Sequence, residues 1–401
     1  MTEFNAIVVG GGPAGLTAAC LVAQEGLRTA LVSAESDVRD PRTVALMRPS
    51  IRLLEHLGLW PGDLQEQTTA LRRLRLVDDT GSRIVAPTIT FDPAEIGEDV
   101  FGWNFPLSIL LPALRQRAWA AGVQFIASDV VAATTTSESV VVTTAAGDLL
   151  EAPVVLASDG RNSPLRDAAG IKTNTWSYDQ VAIATSFAHS GPHDGISTEY
   201  HKPAGPFTTV PLPGNQSSLV WMERPARAAA IMVLSDDALA REIQLQSHGD
   251  LGLVSAIGPR RAFPMQGLIA REFARHRIIL IGESAHVVPP IGAQGLNMSL
   301  RDAAQAAELV SGAEDPGSPD ILRRYDLLRR RDIQPRQQAI DLMNRSLLSG
   351  HLALEGGRAL SLSLIASFSP LRRFIVARGL SPVTGVPRIM RDQGKIPALM
   401  K

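Results

Sequence analysis

The feature that most constrains this chain lies near its amino terminus. An apolar run, Ala6-Ile7-Val8-Val9, leads into Gly10-Gly11-Gly12-Pro13-Ala14-Gly15. A helix-patterned segment, Ala14–Gln24, then ends at Gly26, and a second apolar run, Thr29–Val32, follows. Strand, glycine turn, helix and strand within about 30 residues make a βαβ unit, whose crossover requires a parallel sheet. The turn has the spacing G-x-G-x-x-G. Gly10 permits the tight turn, Gly12 lets backbone amides approach a pyrophosphate, and Gly15 lets helix pack on strand. Pro13 and Ala14 open a helix whose free N–H groups attract phosphate. The pattern predicts a dinucleotide site. An acidic residue about 20 positions on would grip a ribose. Here the second strand ends at Ser33, with Glu35 two positions later. Either of these takes the contact, or it is lost.

Composition sets the outer limits. A chain of 401 residues, 45% apolar and 20% charged, is long enough for two domains or one large domain with an insertion. A single cysteine, Cys20, excludes an intramolecular disulfide and a cysteine-based zinc cluster. The histidines lack metal-ligand spacing, so no metal site is expected. No apolar run approaches the roughly 20 residues of a membrane span, and no basic segment precedes Ala6, which points to a cytoplasmic protein. The net charge of −1 hides an asymmetry. Residues 321–391 hold thirteen Arg against Asp326, Asp332, Asp341 and Glu355, so 1–320 must be strongly acidic. A basic tail of this kind suits an anionic surface, lipid headgroups included, or packing on its own acidic body.

No internal repeat or low-complexity tract is present. Ile51, Leu53, Leu54 and Leu57 mark a helix closed by Gly58, while Val130–Thr144 and Leu149–Leu156 alternate as strands. Between 176 and 265 helix formers thin out. Runs such as Thr208–Leu212 and Ser218–Met222, punctuated by Pro203, Pro206, Pro211 and Pro213, predict an inserted, mostly antiparallel sheet. Strand patterning returns at Arg277–Ile281, with a helix from about Ser299. Residues 320–345 are helical and Arg-rich, and the remainder is helical with breaks at Gly356-Gly357, Pro370 and Pro382. The expected division is 1–175 with an excursion near 70–105, then 176–265, then 266–320 returning to the first unit, then 321–401.

Two further turns follow strands. Ser158-Asp159-Gly160-Arg161 would, on its residues alone, be only a turn. The other is longer. Gly282-Glu283-Ser284-Ala285-His286 delivers a carboxylate; after Pro289-Pro290 and Ile291, Gly292-Ala293-Gln294-Gly295-Leu296-Asn297 opens a helix whose N–H groups suit negative charge on a ring system. Taken in this order and spacing, the three segments resemble the FAD-dependent aromatic-ring hydroxylases, the class A flavoprotein monooxygenases. The resemblance runs from Phe4 to about Pro387. Asp40-Pro41-Arg42-Thr43 and, downstream, Leu57-Gly58-Leu59-Trp60 are similar to the ubiquinone-biosynthesis branch, of UbiH, UbiF and UbiL type.

The resemblance implies an α/β fold: a Rossmann-like FAD-binding domain, an inserted antiparallel substrate sheet and a C-terminal helical region. It also implies that Gly10, Gly12, Pro13, Ala14 and Gly15 hold the FAD pyrophosphate and that Arg42 lies along the cofactor. Asp159 and Gly160 would serve FAD and NAD(P)H. Gly282 and Glu283, which stands where the family usually has Asp, would bind ribityl or ribose hydroxyls. Pro290, Gly292, Ala293, Gln294, Gly295, Leu296 and Asn297 would border the isoalloxazine. The chemistry implied is reduction of FAD by NAD(P)H, a flavin hydroperoxide formed with O₂, and oxygen transfer to a polyprenyl-phenol ring. Rival readings are a hydroxylase of a small soluble phenol and a non-catalytic FAD-binding protein.

No catalytic triad is expected. His286 reads as a structural anchor rather than a base, and Phe207, Pro211 and Trp221, with Trp103, are candidates for a substrate wall. The tail places Leu347, Leu348, Leu352, Leu354, Leu360, Leu362, Leu364 and Ile365 among Arg345, Arg358, Arg372, Arg373 and Arg378. Such a segment either lies on a membrane surface as a peripheral contact, or near a complex of the same pathway, or covers the flavin domain. A homo-oligomer remains open, and no aromatic-interleaved basic face points to nucleic acid.

Overall fold

The computed structural model describes residues 2–34, 40–82, 85–348, 352–380 and 386–392. Its first unit is a six-stranded sheet in the order Ala274–Arg275, Ile278–Leu280, Val155–Ala157, Ala6–Val9, Thr29–Val32, Gln124–Ile126. All neighbours are parallel except the short first strand. The three central strands, Ile278–Leu280, Val155–Ala157 and Ala6–Val9, are short, wholly apolar and buried runs, as expected where both faces of a parallel sheet are covered. The helices Pro13–Gln24, Leu107–Ala120 and Gln294–Ser311 pack together as one layer, with Leu16, Ala18, Ala19 and Val22 of the first fully inside, and Val140, Val142 and Leu150 of a four-stranded sheet join the same core. Leu149–Leu156 is two strands in two sheets. Leu149–Ala152 joins a four-stranded sheet at the side, and Val155–Ala157 enters the parallel core after Pro153, which has no N–H to continue a ladder.

The second unit is a nine-stranded, mostly antiparallel sheet built on Thr173–His189, Ile196–Lys202, Gly205–Leu212, Gln216–Glu223 and Arg261–Ala270. Arg73–Asp78 and Ile89–Phe91 extend this sheet, the first pairing parallel to Ile196–Lys202. The stretch from 176 to 265 is less purely β than its patterning predicts. It contains the helices Pro225–Met232 and Asp236–Gln246, which bury Ala228, Ile231, Leu239 and Ile243 on one face of the sheet.

Pro319–Leu348 is a continuous 30-residue helix, followed by Leu352–Ser367 and Ser369–Leu380. Gly356-Gly357 does not break the second of these. An interior glycine costs a helix about 1 kcal/mol but removes no hydrogen bond. The break falls at Phe368, and Pro370 occupies the first turn of the next helix, where a missing N–H is harmless. Pro382 lies outside the described residues.

Candidate active site

Each of the three glycine turns leaves the carboxyl end of a strand, and those strands are adjacent in one sheet: Ile278–Leu280, Val155–Ala157 and Ala6–Val9. Ser33 leaves the next strand along, Thr29–Val32. Segments far apart in sequence therefore converge on one rim, where open α/β sheets bind ligands.

At the first turn the glycines have separable roles. Gly10 has φ 111°, and a Cβ there would meet the Ser158 carbonyl at 2.1 Å; one on Gly15 would meet the Gly10 carbonyl at 2.0 Å. Both close approaches are backbone to backbone, so only glycine fits. Gly12 is different: a Cβ there meets nothing within 4 Å. Gly12 also caps the Pro13–Gln24 helix without any side-chain hydrogen bond, so the uncapped N-terminus faces open space. Ser33 and Ala34 line a cavity of about 350 Å³ with Ser128, Asp129, Ser158 and Asp159. At the end of the second strand a ribose in that cavity would meet the Ser33 hydroxyl, with Asp129 and Asp159 also on the lining. Glu35 lies outside the described residues.

At the second turn Gly160 takes φ 82°. Asp159 accepts the Leu165 N–H through Oδ2 at 3.2 Å, whereas its Oδ1 is buried without a partner. Burial raises the Asp159 carboxyl above its usual range, against hydrogen bonds from Ser163 and Leu165. An orphaned acceptor on this rim is the mark of a group that a ligand completes. Arg166 ties this turn to the third. Nearly buried, it donates through Nη1 to the carbonyls of Arg161 at 2.9 Å and Ser284 at 3.1 Å. Sequence reasoning assigned Arg166 nothing; its only signal was an arginine three residues after the capping Ser163.

At the third turn Glu283 is half exposed and meets Arg161 Nε at 3.3 Å. Arg42 pairs with Asp40 at 2.9 Å and lies over the Phe263 ring; hydrogen bonding to Asp40, opposed by burial, raises its guanidinium above the ordinary range. The following helix begins at Gln294, not near Ser299. Ala293, with φ 53°, makes the entry, and Asn297 closes it. Asn297 Nδ2 donates to the carbonyls of Ala293 at 2.7 Å and Ala45 at 2.8 Å, while its Oδ1 accepts from Met47 N and Ser50 Oγ. Its side chain is fully used in clamping the loop to the Thr43–Met47 strand. The Gln294 side chain turns toward Gly379, to whose carbonyl it donates at 3.2 Å. Gly292, with φ 61°, faces open space as Gly12 does, Gly295 and Leu296 lie in the first helical turn, and Pro290 is exposed.

A buried ionic knot lies behind this turn. Asp302 accepts from Gly282 N at 2.9 Å, His286 Nε2 at 2.7 Å and Arg329 Nε at 2.6 Å. Asp332 accepts from Arg301, Arg329 and Arg336. Burial alone would raise the Asp302 carboxyl, but Arg329 and His286 hold it below the usual range. Burial brings the Arg301 guanidinium down to about 10. His286 is thereby committed to an internal hydrogen bond, which fits the anchoring role.

The expected aromatic wall is placed elsewhere. Phe207 and Trp221 pair directly across their strands and pack at 5.3 Å between centroids against Tyr200 and the two inserted helices. They occupy the sheet face away from the Pro289–Gly295 loop, because side chains alternate along a strand. The residues of opposite parity, Val210, Val220 and Met222, face the loop and cluster with Ala293 and Ile291. Pro211 contributes its carbonyl, which accepts from Asn104 Nδ2 at 2.9 Å. Trp103 packs on Trp60 at 4.8 Å. Among the described residues no cluster of His, Cys, Asp and Glu could hold a metal ion.

Uncapped helix ends, two glycines facing open space and an orphaned carboxylate oxygen on one rim suit a phosphate-bearing ring cofactor. The family model described as an FAD binding domain matches residues 3–338. The chain belongs to this family. It is 30% identical to the ubiquinone hydroxylase UbiL of Rhodospirillum rubrum, over 96% of this chain and 92% of that protein. It is 27% identical to the 3-demethoxyubiquinol 3-hydroxylase of Escherichia coli, over 84% of this chain and 88% of that one. The p-nitrophenol 4-monooxygenase PnpA of Pseudomonas putida DLL-E4 shares the fold, with TM-score 0.76 at 21% identity over 94% of this chain and 98% of that one.

Proposed function

We propose that this chain is an FAD-dependent monooxygenase that hydroxylates the aromatic ring of a polyprenyl phenol in ubiquinone biosynthesis. The observation that carries the reading is end-to-end similarity to a ubiquinone hydroxylase, at 30% identity over 96% of the chain. When bound and reduced by NAD(P)H, FAD supplies an activated oxygen atom from O₂. The protein's residues do the rest. Gly12 and the N-terminus of the Pro13–Gln24 helix would take the pyrophosphate, and Ser33 the adenosine ribose. Asp159 would hold a cofactor hydroxyl through its unpartnered oxygen. Gly292 and the first turn of the Gln294 helix would border the ring, fixed in place by Asn297.

Val210, Val220, Met222 and Ile291 would form the substrate wall. They are apolar and carry no charge, which suits a phenol with an isoprenoid tail and excludes water from the reacting atoms. A small charged phenol would instead call for a polar pocket. The test is a quinone-lipid profile from a host lacking its own ubiquinone ring hydroxylases. Restored ubiquinone, or a new singly hydroxylated prenyl phenol, is expected. An unchanged profile from soluble, flavin-loaded protein would overturn the reading in favour of a small phenol.

A further inference from the structure

We propose that the C-terminal helix pair, Leu352–Ser367 and Ser369–Leu380, is a docking surface for an anionic lipid bilayer that sets the active-site loop beside the membrane. Five large apolar side chains stand exposed within this short stretch: Leu360 (63%), Leu364 (51%), Phe368 (57%), Phe374 (56%) and Ile375 (36%). Leu360 and Leu364 of the first helix and Phe368 at the break are spaced four apart, and the Phe368 N–H still donates to the Leu364 carbonyl, so the three form one stripe. Phe374 and Ile375 continue the apolar surface on the second. The two helices bend by 101° at Phe368, and no single helix among the described residues is long and apolar enough to cross a membrane. Because the second helix is fastened to the fold through Arg372 and Val376, the exposed apolar side of the pair can meet a bilayer only along its surface.

Charge selects the occupant. After Glu355 the pair holds Arg358, Arg372, Arg373 and Arg378 and no further Asp or Glu, and Arg373 is exposed beside Phe374. A second copy of this surface would bring like charges together as its apolar stripes met. Anionic headgroups would neutralise them while the acyl boundary took the leucines and phenylalanines.

The opposite side of the pair is fastened to the site. Arg372 Nε donates to both Glu95 carboxylate oxygens at 2.9 Å, and Val376 is buried against Met47, Leu71 and Phe101, in the cluster that also holds Val210 and Ala293. The Gly379 carbonyl accepts from Gln294 Nε2 and from Arg336 Nη1 at 2.9 Å. A bilayer touching Phe374 and Ile375 would therefore meet the same helix whose Val376 and Gly379 contact the loop that borders the candidate cofactor ring. That arrangement would hand a membrane-dissolved phenol directly to the site, a consequence that rests on the substrate reading above.

The experiment is co-sedimentation of the full, FAD-loaded chain with vesicles of phosphatidylcholine alone, or with about a third phosphatidylglycerol. The double variant Leu364→Glu/Phe368→Glu alters only exposed positions, and retained flavin and circular dichroism will establish that it folds. Wild type is expected to bind the anionic vesicles at least about tenfold more strongly than the neutral ones, and the variant to lose about tenfold or more. Equal weak binding to both vesicles, an unchanged variant, or a wild-type dimer that the same substitutions split would overturn the proposal.

Hydroxylation of a short-chain, water-soluble prenyl phenol separates this claim from the functional one. A wild type that binds vesicles but oxidises no prenyl phenol defeats the substrate reading alone. One that hydroxylates the soluble phenol yet ignores vesicles defeats the docking surface alone.

Discussion

The helix Pro319–Leu348 and the helix pair that follows it are both rich in arginine, and they use it in opposite ways. In the first, Arg329 and Arg336 turn inward to Asp302 and Asp332, while Arg330 and Arg345 pair with Asp326 and Asp341 of their own helix. In the second, Arg372 reaches Glu95 of the substrate-sheet side, Arg373 faces outward, and after Glu355 no acid occurs before Asp392. One region converts its charge into a rigid wall behind the third glycine turn. The other leaves an apolar, basic surface in the open. A net charge for the whole tail cannot tell these apart, since only burial decides whether an arginine is a structural element or a surface feature.

The comparison breaks most visibly at Asp302. Replacing it by Ala leaves His286 and the Gly282 N–H buried without their acceptor and Arg329 held by Asp332 alone, and about 3–5 kcal/mol of unfolding free energy should be lost in denaturant titration. An Asp302→Leu/Arg329→Met pair, which removes charge from both sides, is expected to lose less than the sum of the single changes. Next in size is Gly12→Val. Its backbone is extended, at φ −75°, and its Cβ points into open space, so the apo-protein should unfold at the wild-type midpoint while FAD affinity falls by about 2–3 kcal/mol. Gly15→Val, by contrast, should fail to fold, because its Cβ would lie 2.0 Å from a carbonyl.

Acid offers a graded version of the first test. The Asp302 and Asp332 carboxyls are held below the free value of 3.8 in the folded chain. Their stabilisation is complete above that value and is lost as pH falls through the depressed folded ones. Denaturant midpoints should therefore decline from about pH 5 downward, and the decline should be shallower in the Asp302→Leu/Arg329→Met variant. The smallest effect belongs to the outer surface. Leu364→Glu/Phe368→Glu should change unfolding free energy by less than about 1 kcal/mol, since both side chains are more than half exposed.

Local sequence made the parallel core and the three turns legible, because G-x-G-x-x-G after Ala6–Val9 and Asp159-Gly160 after Val155–Ala157 carry their geometry in the residues themselves. The resemblance then supplied the order of the parts. Three features were not legible. Phe207 and Trp221 face the inserted helices because strand register and sheet parity, which no local pattern fixes, turned them away from the loop. Arg166 and Asn297 work through carbonyls distant in sequence. The start of the Gln294 helix was hidden by Gly295, a poor helix former that Asn297 holds in place through the Ala293 carbonyl.

The most direct measurement is a single-enzyme reaction under heavy-isotope dioxygen, with purified FAD-loaded protein, NAD(P)H and a short-chain prenyl phenol. The account predicts one heavy oxygen atom on the ring of the product, at a rate coupled to NAD(P)H oxidation. NAD(P)H oxidation that yields only hydrogen peroxide, or a product oxygen drawn from water, would contradict it.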